Sequence, residues 1–437
     1  MSLLKKFDVQ DRAVVGRDLH DFAAKLYPVC RSITGEGIRK TLESIGRRIP
    51  LQFSSIPSGT QVFDWSVPKE WNIRDAHIKG PDGTKVVDFQ RSNLHVLNYS
   101  IPVHEKMPLH ALKQHLFTLP ERPNWIPYRT AYYEEKWGFC LSHNQLLALE
   151  DGDYEVTIDS TLEDGYLPYG ESYLPGRSTD EFLISVHCCH PSLANDNLSG
   201  ITVATALAEF LSESDLRYSY RFVFIPGTIG AIAWLARNPT AAARVRHGLV
   251  LTCIGDSGCF HYKKSRRGDA DIDRATAHVL QHHSESPEIL PFSPYGYDER
   301  QYCSPGFNLP VGCLMRSVCG TFPEYHSSAD NLDFIRPLKL AESLRVCVAT
   351  VDVLENNQRF CNQNPYCEPQ LGRRNLYRPT DGGDGSQISA RLWTLNLSDG
   401  RHSLLDIAER SGLPFAAIND AAEVLHDAGL LKVTQDS

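Results

Sequence analysis

The sequence predicts an α/β protein: a mostly parallel sheet sandwiched by helices, with a small β-rich unit inserted near its start and a winged helix at its C-terminal end. Three observations carry this prediction. Continuous apolar runs at 182–186, 222–225 and 249–254 alternate with helical patterns such as 201–211; strands without a polar side are buried on both faces, as in parallel sheets. A stretch rich in Trp, Tyr, Pro and His interrupts that texture between 59 and 170. The last zone reads helix, turn, helix, strand.

The first zone holds amphipathic helical patterns at 18–26 and 37–45, separated by the turn-rich segment 27–35. In the second, short aromatic and β-branched runs punctuated by Gly83, Gly138 and Gly152 read as strands. The α/β pattern resumes afterwards, so residues 1–58 and 171–380 are expected to form one domain and 59–170 an insertion. Polar, Gly-rich residues 381–385 separate a winged helix at 388–437, with helical patterns at 403–410 and 414–427 around Gly412 and a strand at 429–433. The second helix carries Asp420, Glu423 and Asp427 but no Lys or Arg. A helix entering a DNA groove needs the opposite charge, so a packing or protein-contact role is expected.

Composition sets further bounds. The 437 residues, 42% hydrophobic and 22% charged, are ordinary for a globular chain of two or three domains. Residues 1–11 contain no long apolar run, and no stretch approaches the ~20 apolar residues needed to cross a bilayer, so no membrane contact and a cytoplasmic location are expected. Twelve cysteines are scattered from Cys30 to Cys367 without a C-x-x-C pair. They read as reduced, mostly buried thiols rather than as a disulfide framework or a zinc ribbon. The net charge of -9 argues against nucleic-acid binding.

Chemistry concentrates in His187-Cys188-Cys189-His190-Pro191-Ser192-Leu193-Ala194-Asn195-Asp196-Asn197-Leu198-Ser199-Gly200, which follows a buried strand and opens a helix. Two imidazoles and a carboxylate in one crossover can converge on a cation outside the sheet edge. A polar loop in which Asn195 or Asp196 caps the helix is the plainer alternative. Two more positions favour the metal: Asp256 follows the strand at 249–254, and His326 lies in Tyr325-His326-Ser327-Ser328-Ala329-Asp330 after the strand at 309–315. An acid and an imidazole after separate strands complete a His/Asp set suited to zinc.

The order H…D-N-x-S-G, then Asp, then Y-H-S-S-x-D resembles the co-catalytic zinc aminopeptidases, relatives of bacterial leucyl aminopeptidases and of glutaminyl cyclases. More closely, V-F-D-W-x-V-P-K-E-W, S-N-L-H-V, I-P-Y-R-T-A-Y-Y, W-G-F-C, C-H-P-S-L-A-N-D-N-L-S-G and I-P-G-T-I-G resemble a family of aminopeptidase-like proteins with an inserted small domain and a C-terminal winged helix. This second resemblance spans nearly the whole chain. It implies that Asp196 bridges two metals, that Asp256 serves the first and that His326 serves the second. His187 holds the strand-end place of the aminopeptidase ligand, whereas His190 belongs to the C-H-P-S motif, so both remain candidates.

One departure bears on mechanism. Where the peptidases carry two adjacent glutamates, a general base and a metal ligand, the strand at 222–225 leads into Pro226-Gly227-Thr228-Ile229-Gly230. A single zinc is then sufficient, a second stays open, and a base must come from elsewhere; Glu299 and Glu324 rank equally. Arg31, Tyr295, Tyr297 and Arg300 are candidates for orienting substrate, each with an alternative as a turn or packing residue. The implied activity is zinc-dependent cleavage of an amide in a small peptide or amino-acyl conjugate. Metal-assisted cyclisation or transfer, and a degenerate peptidase fold serving as a binding or assembly protein, are the alternatives; self-association is left open.

Overall fold

The computed structural model describes residues 2–376 and 386–434, so the Gly-rich stretch 381–385 and the domain boundary drawn at 380 lie outside the described residues. At its centre is an eight-stranded sheet of β1 (Gln52–Pro57), β2 (Tyr166–Leu174), β3 (Glu181–His187), β4 (Ser219–Ile225), β5 (Val245–Leu251), β6 (His261–Lys263), β7 (Glu288–Leu290) and β8 (Val311–Met315). The spatial order is β1-β2-β4-β3-β5-β8-β6-β7. The four strands β4, β3, β5 and β8 run parallel, while β2 and β6 pair antiparallel at the two flanks.

The apolar runs of the sequence account for this core. Phe182, Leu183 and Ile184 of β3 and Phe222, Val223 and Phe224 of β4 are fully buried. Each such side chain contributes about 1.5–3 kcal/mol by leaving water. Helices Arg12–Leu26, Gly200–Ser212, Asp271–His283 and Pro337–Asn356 pack around one another alongside the sheet. Because the four central strands are parallel, their carboxyl ends share one rim, where an open α/β sheet presents its ligand crevice.

Between β1 and β2, strands Glu70–Lys79, Lys85–Asp88, Val103–Pro108 and Asp153–Glu163 form a separate four-stranded antiparallel sheet. Its loop at Ile126-Pro127-Tyr128 reaches back to the main sheet's rim: Ser328 N donates to Ile126 O at 2.8 Å and Tyr128 N to His326 O at 2.7 Å.

At the C-terminal end, helices Ser386–Leu397, Leu404–Ser411 and Phe415–Asp427 accompany a three-stranded sheet. Ser403 caps the second helix in a capping box with Asp406, and Gly412 ends it with φ 69°. The strand Arg359–Asn362 is the middle strand of that sheet, so the winged unit draws on residues from before the Gly-rich stretch. It docks firmly on the main domain. Arg274 pairs with Asp406 at 2.6 Å, Lys5 with Asp420 at 2.6 Å, and Phe415 N donates to His278 Nε2 at 3.0 Å.

Candidate metal centre

β3 delivers His187 to the rim, and the following crossover turns back to place Asp196 beside it. The crossover residues are fixed by hydrogen bonds that explain their identities. Asn195 donates from Nδ2 to Asp256 at 2.7 Å and accepts Gly255 N at 2.8 Å. Asn197 Nδ2 donates to Leu251 O at 2.9 Å, and Ser199 Oγ accepts Ile254 N at 3.1 Å while donating to Asn195 O at 2.6 Å. A side chain at Gly200 would meet Leu251 O at 2.5 Å. The D-N-L-S-G run thus laces the loop to the end of β5. From below, Asp330 accepts Asn195 N at 2.6 Å and Asp196 N at 2.9 Å, and burial pushes its carboxyl up to about 8.

Asp196 is fully buried, and its two oxygens face different imidazoles: His187 Nε2 lies 2.7 Å from Oδ1 and His326 Nε2 3.0 Å from Oδ2. His190 joins them, so that donor atoms of His187, His190 and Asp196 all fall within 4.8 Å of one another. Burial opposes ionisation of Asp196, and the neighbouring His190, His187 and His326 outweigh it, holding the carboxyl well below its usual range. Burial also lowers the proton affinity of His187, and that of His190 strongly. Neutral imidazoles beside an ionised carboxylate are the protonation states a divalent ion requires of its ligands.

Aromatic rings fix these imidazoles. Tyr297 stacks on His187 with 3.7 Å between centroids, and Tyr325 on His326 with 3.9 Å. Tyr128, from the inserted unit, stands edge-on to both His190 and His326 at 5.1 Å, and its hydroxyl lies 3.0 Å from that of Tyr132.

Two other expected residues are engaged by protein partners in this structure. Asp256 is outside the cluster because protein donors take both its oxygens: Asn195 Nδ2 on Oδ2, and Gly258 N at 2.6 Å and Ser317 Oγ at 2.8 Å on Oδ1. Through Asn195, Asp256 ties the crossover to the end of β5. Glu299 is buried in an ion pair with Lys263 and accepts Tyr297 N at 3.1 Å, which commits its carboxylate. Glu324 is half-buried and makes no side-chain hydrogen bond or ion pair among the described residues. Arg31 is buried and donates to His190 O at 2.8 Å and Leu26 O at 2.6 Å, Arg300 reaches Thr228 Oγ1 at 3.5 Å, and Tyr295 is 78% exposed.

At the end of β4, where paired glutamates were missing, other groups fill the space. A side chain at Gly227 would collide with the Tyr297 hydroxyl at 2.5 Å. Thr228, at φ 62°, donates its amide hydrogen to Asp298 Oδ1 at 2.6 Å. Asp298 is fully buried, no donor among the described residues reaches its Oδ2, and burial pushes its carboxyl up to about 7. Sequence reasoning passed over Asp298 in favour of its neighbour Glu299. The available signal was its N-cap position before Glu299–Tyr302, where its side chain makes no capping bond. Tyr128 lies in the I-P-Y-R-T-A-Y-Y motif, but nothing in that run placed it beside the histidines.

The model of the family described as a domain of unknown function (DUF4910) matches residues 20–357, and a winged helix-turn-helix model matches 358–433. A Clostridium acetobutylicum protein with the provisional name polysaccharide biosynthesis protein with aminopeptidase-like domain is 48% identical over 427 residues, 97% of this chain and 98% of that one. The crystal structure of a provisionally assigned peptidase from Clostridium acetobutylicum superposes with a TM-score of 0.94 at 47% identity, over 99% of this chain and 100% of that one. A zinc aminopeptidase from Bacillus subtilis shares the fold, with a TM-score of 0.57 at 11% identity over 77% of this chain and 94% of its own. Together with the parallel sheet and its rim, these likenesses make the chain a member of the DUF4910 family, built on the zinc-aminopeptidase fold and extended by a C-terminal winged helix.

Proposed function

We propose that this protein is a metal-dependent hydrolase cleaving an amide or peptide bond in a small peptide or amino-acyl conjugate, with His187, His190, Asp196 and His326 holding the ion. The observation that carries the reading is Asp196, buried and sharing its two oxygens between His187 and His326. Nitrogen and oxygen donors in this number suit zinc, with one ion served by the three clustered residues and His326 available to that ion or to a second. Such an ion supplies Lewis acidity toward the amide carbonyl.

The chain's own groups divide the remaining work. Tyr128, Tyr297 and Tyr325 wall the imidazoles and keep water from their faces. A general base needs a free acceptor atom and a proton affinity near the working pH. Asp298 offers both, with Oδ2 unclaimed and a pKa of about 7, and takes the proton of the attacking water there. Glu324, unpaired and close in sequence to His326, is the other candidate.

A second reading, amide cyclisation or transfer in a biosynthetic route, is favoured by Pro226-Gly227-Thr228 standing where the paired glutamates were expected. The relative named for polysaccharide biosynthesis adds amide-bearing sugar conjugates to the substrates worth assaying. The deciding experiment is a panel of small peptides and such conjugates assayed by mass spectrometry with zinc and with chelator. Hydrolysis adds one water to the summed product mass, whereas cyclisation or transfer does not. Zinc-dependent cleavage lost in Asp196→Ala supports the proposal; no chelator-sensitive turnover of any substrate by folded, zinc-loaded protein counts against it and favours a binding role.

A further inference from the structure

We propose that Cys253 and Cys319 form a site of reversible disulfide formation beside the metal centre. The cross-link rests on the thiols alone, while its effect on metal affinity rests on the metal site proposed above. Cys253 leaves the end of β5 at φ 49°, and its sulfur lies 3.8 Å from that of Cys319. That is van der Waals contact, with no room for an atom between them. The backbones are joined just upstream, since the Cys253 carbonyl accepts Arg316 N at 2.8 Å and Ser317 N at 3.4 Å. Thr252 Oγ1 touches both sulfurs, at 3.6 and 3.9 Å.

The two thiols differ in access. Cys253 is buried and Cys319 half-buried, so an oxidant meets Cys319 first. With a peroxide as oxidant, the Cys319 thiolate attacks one oxygen and becomes a sulfenic acid, releasing hydroxide. The Cys253 sulfur then attacks the Cys319 sulfur, the S–S bond forms, and the hydroxyl leaves as water with the Cys253 proton. Two thiols lose two electrons, and one peroxide becomes two waters.

Closing the pair brings the sulfurs from 3.8 Å to the ~2.05 Å of a disulfide. The buried strand end is the stiffer side, so the loop of Cys319 moves. That loop continues to Tyr325 and His326, whose rings stack with 3.9 Å between centroids. Oxidation therefore shifts the ring that stacks on His326 and weakens the grip on a metal.

The full chain titrated with hydrogen peroxide, alkylated with iodoacetamide and digested gives the test. Mass spectrometry is expected to find a Cys253–Cys319 cross-link that dithiothreitol reverses, and zinc affinity is expected to fall about tenfold in the oxidised protein and recover on reduction. In Cys319→Ser no cross-link forms and Cys253 stays unmodified; in Cys253→Ser, Cys319 proceeds to the sulfinic acid. Three results overturn the proposal: sulfinic Cys319 in the wild type with Cys253 still a free thiol, cross-linking of either residue to a different cysteine, or thiols protected from peroxide only by added zinc, which marks them as ligands instead.

Discussion

Asp298 accepts the amide hydrogen of Thr228 at 2.6 Å, so a carboxylate from a distant loop stands at the end of β4 where this chain lacks a glutamate of its own. Asp298→Asn keeps an acceptor for that amide and removes the proton acceptor. Turnover is expected to fall about 100-fold or more with zinc still bound; a change of less than threefold transfers the role to Glu324, to be read in Glu324→Gln.

The same carboxyl makes stability depend on pH. Its pKa is raised from 3.8 to about 7 in the fold, so the folded state binds the proton more tightly than the unfolded chain does. The associated stabilisation is complete below pH ~4 and is lost as pH rises through ~7. In metal-free protein, Asp298→Asn is therefore expected to raise stability at pH 8 by roughly 2–4 kcal/mol and to change little at pH 4. Denaturant titration at the two pH values checks this, and an equal effect at both contradicts it.

Asp330 holds the peptide of Asn195 and Asp196 from beneath. Asp330→Ala leaves two buried amides without an acceptor, at about 1–3 kcal/mol each. Zinc affinity is expected to fall 10- to 100-fold as Asp196 loses its fixed position. Competition with a chromophoric chelator measures the affinity, and unchanged binding removes Asp330 from the account.

Glu299 serves Lys263, and both are buried. Glu299→Gln strands the ammonium and is expected to cost about 3–5 kcal/mol of stability. Turnover per folded molecule is expected to stay within about threefold of wild type. A 100-fold loss at unchanged stability makes Glu299 the base after all.

The architecture was legible because it rests on local signals. Apolar runs mark β3 and β4, and two helical patterns around Gly412 mark the helix-turn-helix. The strand expected to reach Ile254 ends at Leu251, because Thr252 and Cys253 turn away into the rim, Cys253 at φ 49°. His187, His190 and Asp196 were legible because one crossover carries all three. Asp256 has the spacing of a ligand, and only the structure shows its oxygens bonded to Asn195, Gly258 and Ser317. Tyr128 and Asp298 were hidden because their roles depend on which loops meet: Tyr128 crosses from the inserted unit to His326, and Asp298 reaches Thr228 across 70 residues of chain. Residue order contains neither encounter.

The winged helix is held by Arg274 on Asp406, by Lys5 on Asp420 and by His278 on Phe415 N. Arg274→Ala is expected to speed hydrogen exchange in Leu404–Ser411 with little change in β3. Its ion pair is partly exposed, so the cost is about 1 kcal/mol or less. Equal protection in both proteins rules out Arg274 as the tether.

The central claim is that one cation is held where Asp196 meets three imidazoles. Crystals soaked in zinc and measured on both sides of the zinc absorption edge test it most directly. The account predicts an anomalous peak within about 2.0–2.2 Å of Asp196 and of two or more of His187, His190 and His326, absent from Asp196→Ala. A zinc-saturated crystal with no peak at Asp196, or with its only peaks at other residues, contradicts it.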